Sequence, residues 1–464
     1  MKITRRSLLQ AAGTATALSG FTVRAQAGSA RPNIVMLISD DQSQPDLGSY
    51  GNDKIRTPHL DRLATEGLRF TRAYVISPQC SPNRAGLLTG RSPHSVGAAR
   101  LHAPVRPEYL NIVRLLKQAG YYTGAYRKTH QPLIEKEFDY YGDDQAPLET
   151  FFTGRPLEKP FFLWFGSRHP HRPYQPGTFS PPTNPEQVIV PDYLPDTPEV
   201  RKDLADYYDA IARFDSDCGF ILAQLEAQEV TGDTLVIMTS DNGMPFPRAK
   251  GTLYEAGIAT PLIVRWPGQV SPGISENLVT ALDLPATVLA AAGVTIPPNF
   301  EGTPSFPVPG GTLLHQHKFV FAERNWHDNF DPMRAVVSQD YKLILNFRPE
   351  VGYLPTLDVL ESPSGQAIIK LAKSGSLAGK LAWYQQKSRP RLEFYHLPSD
   401  PGEWQNRAED PALKEALEEH LQALSQWMLA SNDFLPPPRG SFPGYPQYDA
   451  IDALNGGVME SWIY

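Results

Sequence analysis

From Asn33 to about residue 292, short apolar runs alternate with segments of helical period. Asn33-Ile34-Val35-Met36-Leu37-Ile38-Ser39 is unbroken by charge and ends in Asp40-Asp41. Similar runs are Tyr122 to Tyr126, Phe161 to Phe165, Thr234 to Thr239 and Leu262 to Trp266. Runs this continuous read as strands buried on both faces, as in parallel sheets. Helical patterns lie between them at Pro58 to Glu66, Tyr109 to Ala119, Thr197 to Gln228 and Leu282 to Ala292. Thr197-Pro198 is a capping residue followed by proline at the first helical position. The alternation predicts an α/β fold: a large, mostly parallel sheet flanked by helices. Such sheets bind ligands beyond the carboxyl ends of their strands. After about residue 310 the pattern changes to short strands at Phe319 to Ala322, Arg334 to Val337, Leu343 to Asn346 and Leu392 to Tyr395. A helix from Pro411 to Leu429 and a Pro/Gly-rich tail follow. The expected division is 31–310 for the large α/β domain and 311–464 for a smaller C-terminal α+β domain.

Residues 1–27 carry Lys2, Arg5, Arg6 and Arg24 and no acid. Arg5-Arg6 precedes a small-residue apolar run from Ala11 to Phe21, and Ala25-Gln26-Ala27 fits a cleavage site. This is a twin-arginine-type signal peptide pattern, and it predicts an exported, periplasmic or extracellular, bacterial protein. No other segment is apolar enough to span a membrane. A net charge of −7 argues against nucleic acid as a partner. Two cysteines, Cys80 and Cys218, exclude a disulfide framework and a multi-thiolate metal site. Cys218 lies inside the long helical pattern and reads as a small packed residue.

Two acidic positions close buried strands: Asp40-Asp41 and Ser240-Asp241-Asn242-Gly243. Carboxylate and amide oxygens suit a hard cation, calcium or magnesium, rather than zinc. Either pair alone is as consistent with a turn or a cap. The sharpest motif is Cys80-Ser81-Pro82-Asn83-Arg84, continued by Ala85-Gly86-Leu87-Leu88-Thr89-Gly90. Pro82 suits the first turn of a helix, so residue 80 is expected just before a helix N-terminus, where an anion is favoured. Arg84 lies about one turn further on.

Cys-x-Pro-x-Arg followed by Ala-x-Leu-Leu-Thr-Gly resembles the signature of the type I sulfatases, in the alkaline phosphatase superfamily. The likeness extends through Ile34 to Asp41, Thr57-Pro58-His59-Leu60-Asp61, Thr234 to Gly243 and Arg334 to Leu345, in family order. Thr197 to Gly243, with Met244-Pro245-Phe246-Pro247, is most similar to the sulfamidase branch, the N-sulfoglucosamine sulfohydrolases.

The resemblance implies an alkaline phosphatase-like fold and a hydrolase that removes sulfate from a sulfated saccharide. It implies that Cys80 is oxidised to formylglycine by a formylglycine-generating enzyme. Its hydrate then attacks sulfur through one hydroxyl and expels sulfate through the other. Asp40, Asp41, Asp241 and Asn242, with the modified Cys80, match the ligands of a calcium ion, with magnesium as the alternative. Arg84 matches the arginine that supports the diol. Lys128 and His130 match a Gly-Lys-x-His pair in which Arg127 here replaces glycine. His171 matches a histidine acting as general acid or sulfate ligand, with His169 second. Lys250 matches the second sulfate-binding lysine, where sulfamidases carry arginine. Specificity is expected from Arg100-Leu101-His102, from Arg324 and His327 in Glu323 to Asp328, and from Trp266. Two other substrate readings stay open: an exo-acting O-sulfatase on environmental oligosaccharides such as algal ones, and a phosphate or phosphonate monoester hydrolase. A non-catalytic carbohydrate-binding relative is disfavoured by the intact candidate set.

Overall fold

The computed structural model describes residues 31–435, except 176, 178 and 307–315. The signal-peptide reading of 1–27 and the Pro/Gly-rich tail lie outside the described residues, and the described residues from Pro32 onward belong to one compact unit. The strands, in chain order, are β1 (Asn33–Ser39), β2 (Leu68–Phe70), β3 (Ala73–Tyr74), β4 (Tyr122–Arg127), β5 (Tyr140–Gly142), β6 (Phe161–Gly166) and β7 (Thr234–Ser240). They continue as β8 (Leu262–Arg265), β9 (Gly273–Ser275), β10 (Val279–Thr280), β11 (Val320–Trp326), β12 (Phe330–Val337), β13 (Tyr341–Asn346) and β14 (Leu392–His396).

Eight strands form the large sheet in the order β5-β4-β6-β1-β7-β8-β2-β9. Neighbours from β5 through β7 pair in parallel, as does β2 with β9, while β8 runs antiparallel to β7 and β2. The expectation that Leu262 to Trp266 resembles the parallel runs is therefore corrected. The chain between β7 and β8 holds only the four-residue helix Glu255–Ile258, too little for the crossover that a parallel return needs. Trp266 lies beyond β8 and is buried in the core.

Alternate residues of the central strands feed two cores. Ile34, Met36 and Ile38 pack with Phe162, Trp164, Leu235 and Ile237 beneath the helices Ile112–Gln118 and Asp283–Ala291. Val35 and Leu37 pack on the other face with Leu163, Phe165, Val236 and Met238. That face is covered by Pro58–Glu66 and by the long helix Pro198–Ala227, whose Phe214, Cys218, Ile221 and Leu225 are buried. Each such side chain contributes about 1.5–3 kcal/mol when fully buried, so both faces of the sheet are anchored. Thr197 caps the long helix, its side chain accepting from the Val200 amide.

A second sheet, β11-β12-β13-β14, is antiparallel throughout and packs on the helix Lys414–Ala430. The helix Pro363–Lys373, absent from the sequence expectation, packs against the long helix through Ala367 and Ile368.

Candidate active site

Parallel register brings the strand ends together. Ser39 of β1 stands opposite Ser240 of β7, so Asp40-Asp41 and Asp241-Asn242 leave the sheet side by side. The Asp41 amide donates to Asp241 Oδ1 at 3.0 Å, and Asn242 Nδ2 donates to Asp41 Oδ1 at 2.7 Å. Asp41 holds a left-handed φ of 71°, a strained conformation of the kind that gathers at functional sites. On the other side, Arg127 of β4 pairs with Gly166 of β6, and the Lys128 amide donates to the Gly166 carbonyl at 2.8 Å. A Cβ at residue 166 would come within 1.9 Å of the Lys128 carbonyl oxygen, so only glycine permits this approach.

Cys80 is the first residue of the buried helix Cys80–Thr89, and Gln79 is its N-cap. It is thus one position inside the helix rather than before it, with Pro82 in the first turn as expected. Its Sγ lies 3.7 Å from Asp41 Oδ1. Ligand atoms of Asp40, Asp41, Cys80 and Asp241 all lie within 4.8 Å of one another, and all four residues are buried. Arg84, one turn along, donates from Nε to Asp241 Oδ2 at 2.8 Å and from Nη1 to the Lys128 carbonyl at 2.5 Å. Lys128 Nζ bonds Asp40 Oδ2, and Lys250 Nζ lies 2.7 Å from Asp41 Oδ2.

The electrostatics follow from burial set against these pairings. Burial raises the Asp40 carboxyl, but Lys128, His171 and Arg84 outweigh it, and the group is held below its usual value. Burial pushes the Cys80 thiol well above its ordinary range, so the unmodified side chain is protonated near neutrality and is a poor nucleophile. Burial opposes the charge on Lys250, but Asp41 and Asp358 keep it firmly protonated. His130 is driven far below an ordinary histidine by burial, with Lys128 and Arg84 adding to the effect, so its ring is neutral.

The cluster opens into a cleft of about 830 Å³ lined by Cys80, Lys128, His130, His169, His171 and Lys250, among others. His171 Nε2 lies 3.7 Å from Asp41 Oδ2. His130 meets the ring of His102 edge-on at 5.3 Å. His327, just past β11, lines the cleft with Asp328, which its Nδ1 contacts at 2.7 Å. Arg324 and Trp266 do not line it, and those two expectations are corrected. Arg324 is 1% exposed, with Nη1 3.0 Å from Asp331, because a buried guanidinium stays where its counter-ion is. Arg127 takes a left-handed φ of 59°, the conformation that glycine would adopt freely. It is tied to Asp217 at 2.5 Å and lies 5.3 Å over the Phe165 ring. These two contacts hold the backbone leading into Lys128 and His130.

Sequence reasoning missed Asp358, whose Oδ2 accepts from Lys250 at 2.7 Å. It also missed the cleft arginines Arg168, Arg172 and Arg213. Asp358 stands in no strand-end motif and gave no signal.

The sulfatase family profile matches residues 32–151 and 136–294, more than half of the chain. The chain belongs to the sulfatase family. It is a hydrolase of sulfate esters or sulfamates. A second profile, of the N-sulphoglucosamine sulphohydrolase C-terminal region, matches residues 248–370 of this sulfatase. The sulfatase is 32% identical over 466 residues to N-sulphoglucosamine sulphohydrolase of Homo sapiens, covering 87% of this chain and 91% of that protein. An ulvan-active sulfatase of Formosa agariphila is 27% identical over 87% of this chain and 76% of its own. Among solved structures, a protein in complex with its substrate D-glucosamine-2-N,6-O-disulfate superposes with a TM-score of 0.66 at 20% identity, covering 88% of this chain and 100% of that one. The phosphonate monoester hydrolase of Agrobacterium radiobacter gives 0.67 at 17% identity, covering 86% and 96%. These two likenesses establish the shared fold.

Proposed function

We propose that this sulfatase removes sulfate from the terminal residue of a sulfated saccharide, with Cys80 matured to formylglycine, and that its substrate is the N-sulfate of a non-reducing-end glucosamine. The observation that carries the reading is the seat of Cys80. It is a buried, protonated cysteine at a helix N-terminus, 3.7 Å from Asp41, enclosed by Arg84, Lys128 and Lys250 and open to the cleft. A free thiol so held is inert, whereas a hydrated aldehyde there supplies one oxygen to take the sulfuryl group and a second to expel it.

The donor set fits a hard cation. Asp40 Oδ1 and Asn242 Oδ1 are buried without any hydrogen-bond partner, a costly state that a cation relieves. Asp40, Asp41, Asp241 and Asn242, with the oxygen of matured Cys80, would hold calcium, or magnesium in its place, which supplies positive charge to the sulfate oxygens. The remaining work falls to the chain's own residues. Arg84 fixes both Asp241 and the Lys128 carbonyl. Lys128 and Lys250 approach the sulfate from two sides. Neutral His130 offers a ring nitrogen as hydrogen-bond acceptor to the attacking hydroxyl. His171, at the mouth, donates one to the departing amine or alkoxide. His327 stands where the sugar enters. In this reading residues 31–310 supply the chemistry, and 311–464 deliver Asp358 and His327 to the cleft. A formylglycine-generating enzyme is the maturation partner, and the N-terminal pattern supports export to the periplasm or beyond.

The N-sulfate is favoured by 32% identity across 87% of the chain and by the match over 248–370. Lys250, where sulfamidases carry arginine, and 27% identity to an ulvan-active sulfatase support the O-sulfate alternative. The phosphonate reading shares only the fold. The deciding experiment is intact-mass measurement of Cys80 maturation, followed by sulfate release from N- and O-sulfated saccharides and from aryl sulfate against aryl phosphate. Release from O-sulfated sugars alone overturns the N-sulfate assignment, and faster aryl phosphate turnover overturns the sulfate assignment itself.

A further inference from the structure

The cleft is larger than one singly sulfated sugar requires, since pockets of about 300–1,000 Å³ enclose whole drug-sized ligands. Its charge is uneven. Lys128 and Lys250 at the inner end are each bonded to carboxylates. The cleft is also lined by Arg127, Arg168, Arg172 and Arg213. Arg172 is committed to structure: it makes a two-pronged pair with buried Asp203 and donates to the Pro245 carbonyl. Arg168 and Arg127 are held more loosely. Arg168 pairs with Asp144, and both side chains are about half exposed, at 55% and 49%. Arg127 gives one nitrogen to Asp217, itself partly exposed. Arg213 precedes Asp217 by one helical turn and so shares its face. His169, next to Arg168 in the chain, lines the same cleft. Exposed ion pairs are weak and exchange readily for a better anion. Guanidinium forks match sulfate and carboxylate geometry. Arg127 also keeps a left-handed backbone that glycine would adopt without strain, the kind of strain that gathers at functional sites.

We propose that Arg127, Arg168 and Arg213, which line the cleft together with His169, form a subsite for a second anionic group carried by the same saccharide as the scissile sulfate. The inference rests on the saccharide reading of the cleft. The shared chemistry is an oxyanion, and its two sources are a further sulfate ester on the terminal sugar or the carboxylate of a neighbouring uronate.

The test uses the full, matured chain and three substrates: glucosamine N-sulfate, its N,6-O-disulfate, and an N-sulfated glucosamine linked to a uronate. The wild type should favour one dianionic substrate over the monosulfated sugar by about tenfold in kcat/KM, the scale of one charge-assisted hydrogen bond. Which dianion is favoured identifies the source. Arg213→Gln and Arg127→Gly should each pull that ratio towards one through KM, and raised ionic strength should do the same. Equal kcat/KM on all three substrates, or a preference that survives the double substitution, overturns the subsite and leaves the saccharide reading intact. Cleavage of an aryl sulfate with no release from any saccharide overturns both.

Discussion

The Lys250 ammonium donates to the Asp358 carboxylate at 2.7 Å while holding Asp41 at the same distance on its other side. Burial raises the Asp358 carboxyl, but Lys250 outweighs it and keeps the group ionised well below the ordinary range. Asp358 belongs to the short helix Leu357–Leu360, so this pair ties the C-terminal part of the chain to the acidic cluster. Without Asp358, Lys250 is drawn wholly onto Asp41. Asp358→Ala should lower kcat/KM for sulfate release about tenfold, and Asp358→Asn less, because the amide keeps one acceptor. Unchanged kinetics in both variants would mean that Asp41 alone positions the lysine.

Cys80→Ala should abolish sulfate release without unfolding the protein, since the side chain lost is small. Cys80→Ser should support at most one turnover, because serine lacks the second hydroxyl that expels sulfate. Single-turnover sulfate release and the intact mass of the protein check both. Steady turnover by either variant would sink the assignment of residue 80.

Arg84 and Asp241 form a fully buried pair at 2.8 Å. Removing one partner of such a pair costs about 3–5 kcal/mol when nothing else compensates the remaining charge. Arg84→Met should therefore lower Tm, and chelation should lower it further in the variant than in the wild type. Chelation alone should abolish activity, with calcium or magnesium restoring it. Rescue by zinc only, or full activity in protein shown to be metal-free by elemental analysis, contradicts the assigned oxygen site.

His94, in the turn Pro93–Val96, lies against Glu323, with Asp433 and Arg334 facing the same group. Burial opposes protonation of His94, but Glu323 outweighs it, and its proton affinity rises above that of an ordinary histidine. An unfolded histidine titrates near about 6.5. A raised folded value makes the contribution to stability complete below that pH and lost as pH climbs through the folded value. The Tm gap between wild type and His94→Gln should be widest below about pH 6.5 and shrink as pH rises above it. A gap independent of pH would show that the contact acts by packing alone.

His327→Ala should weaken kcat/KM on the saccharide substrate by about tenfold and on a small aryl sulfate much less, because the residue lines the cleft without contacting the Cys80 cluster. Equal losses on both substrates would mark it as structural or catalytic.

Much of the architecture is local enough to read from residue order. The strands β1, β4, β6 and β7 and the helix Pro58–Glu66 fall where continuous apolar runs and caps put them, because each buries a face through its own neighbours. The antiparallel entry of β8 was not readable, since an apolar run carries no direction. Neither was the inward pairing of Arg324, whose partner Asp331 lies across a strand pair.

The division at the site follows the same physics. A motif within a dozen residues determines that a helix starts at about Cys80 and that Arg84 follows one turn later, and the structure moves Cys80 one position inside. A strand end determines that Asp40-Asp41 and Asp241-Asn242 leave the sheet as adjacent oxygen donors. Which cation meets which carboxylate was left to the assembled fold. Lys128 reaches Asp40 across 88 positions, Lys250 reaches Asp358 across 108, and Arg84 reaches Asp241 across 157. Contacts of that span depend on strand register and on how the C-terminal sheet packs, and a charged side chain in sequence carries no record of either.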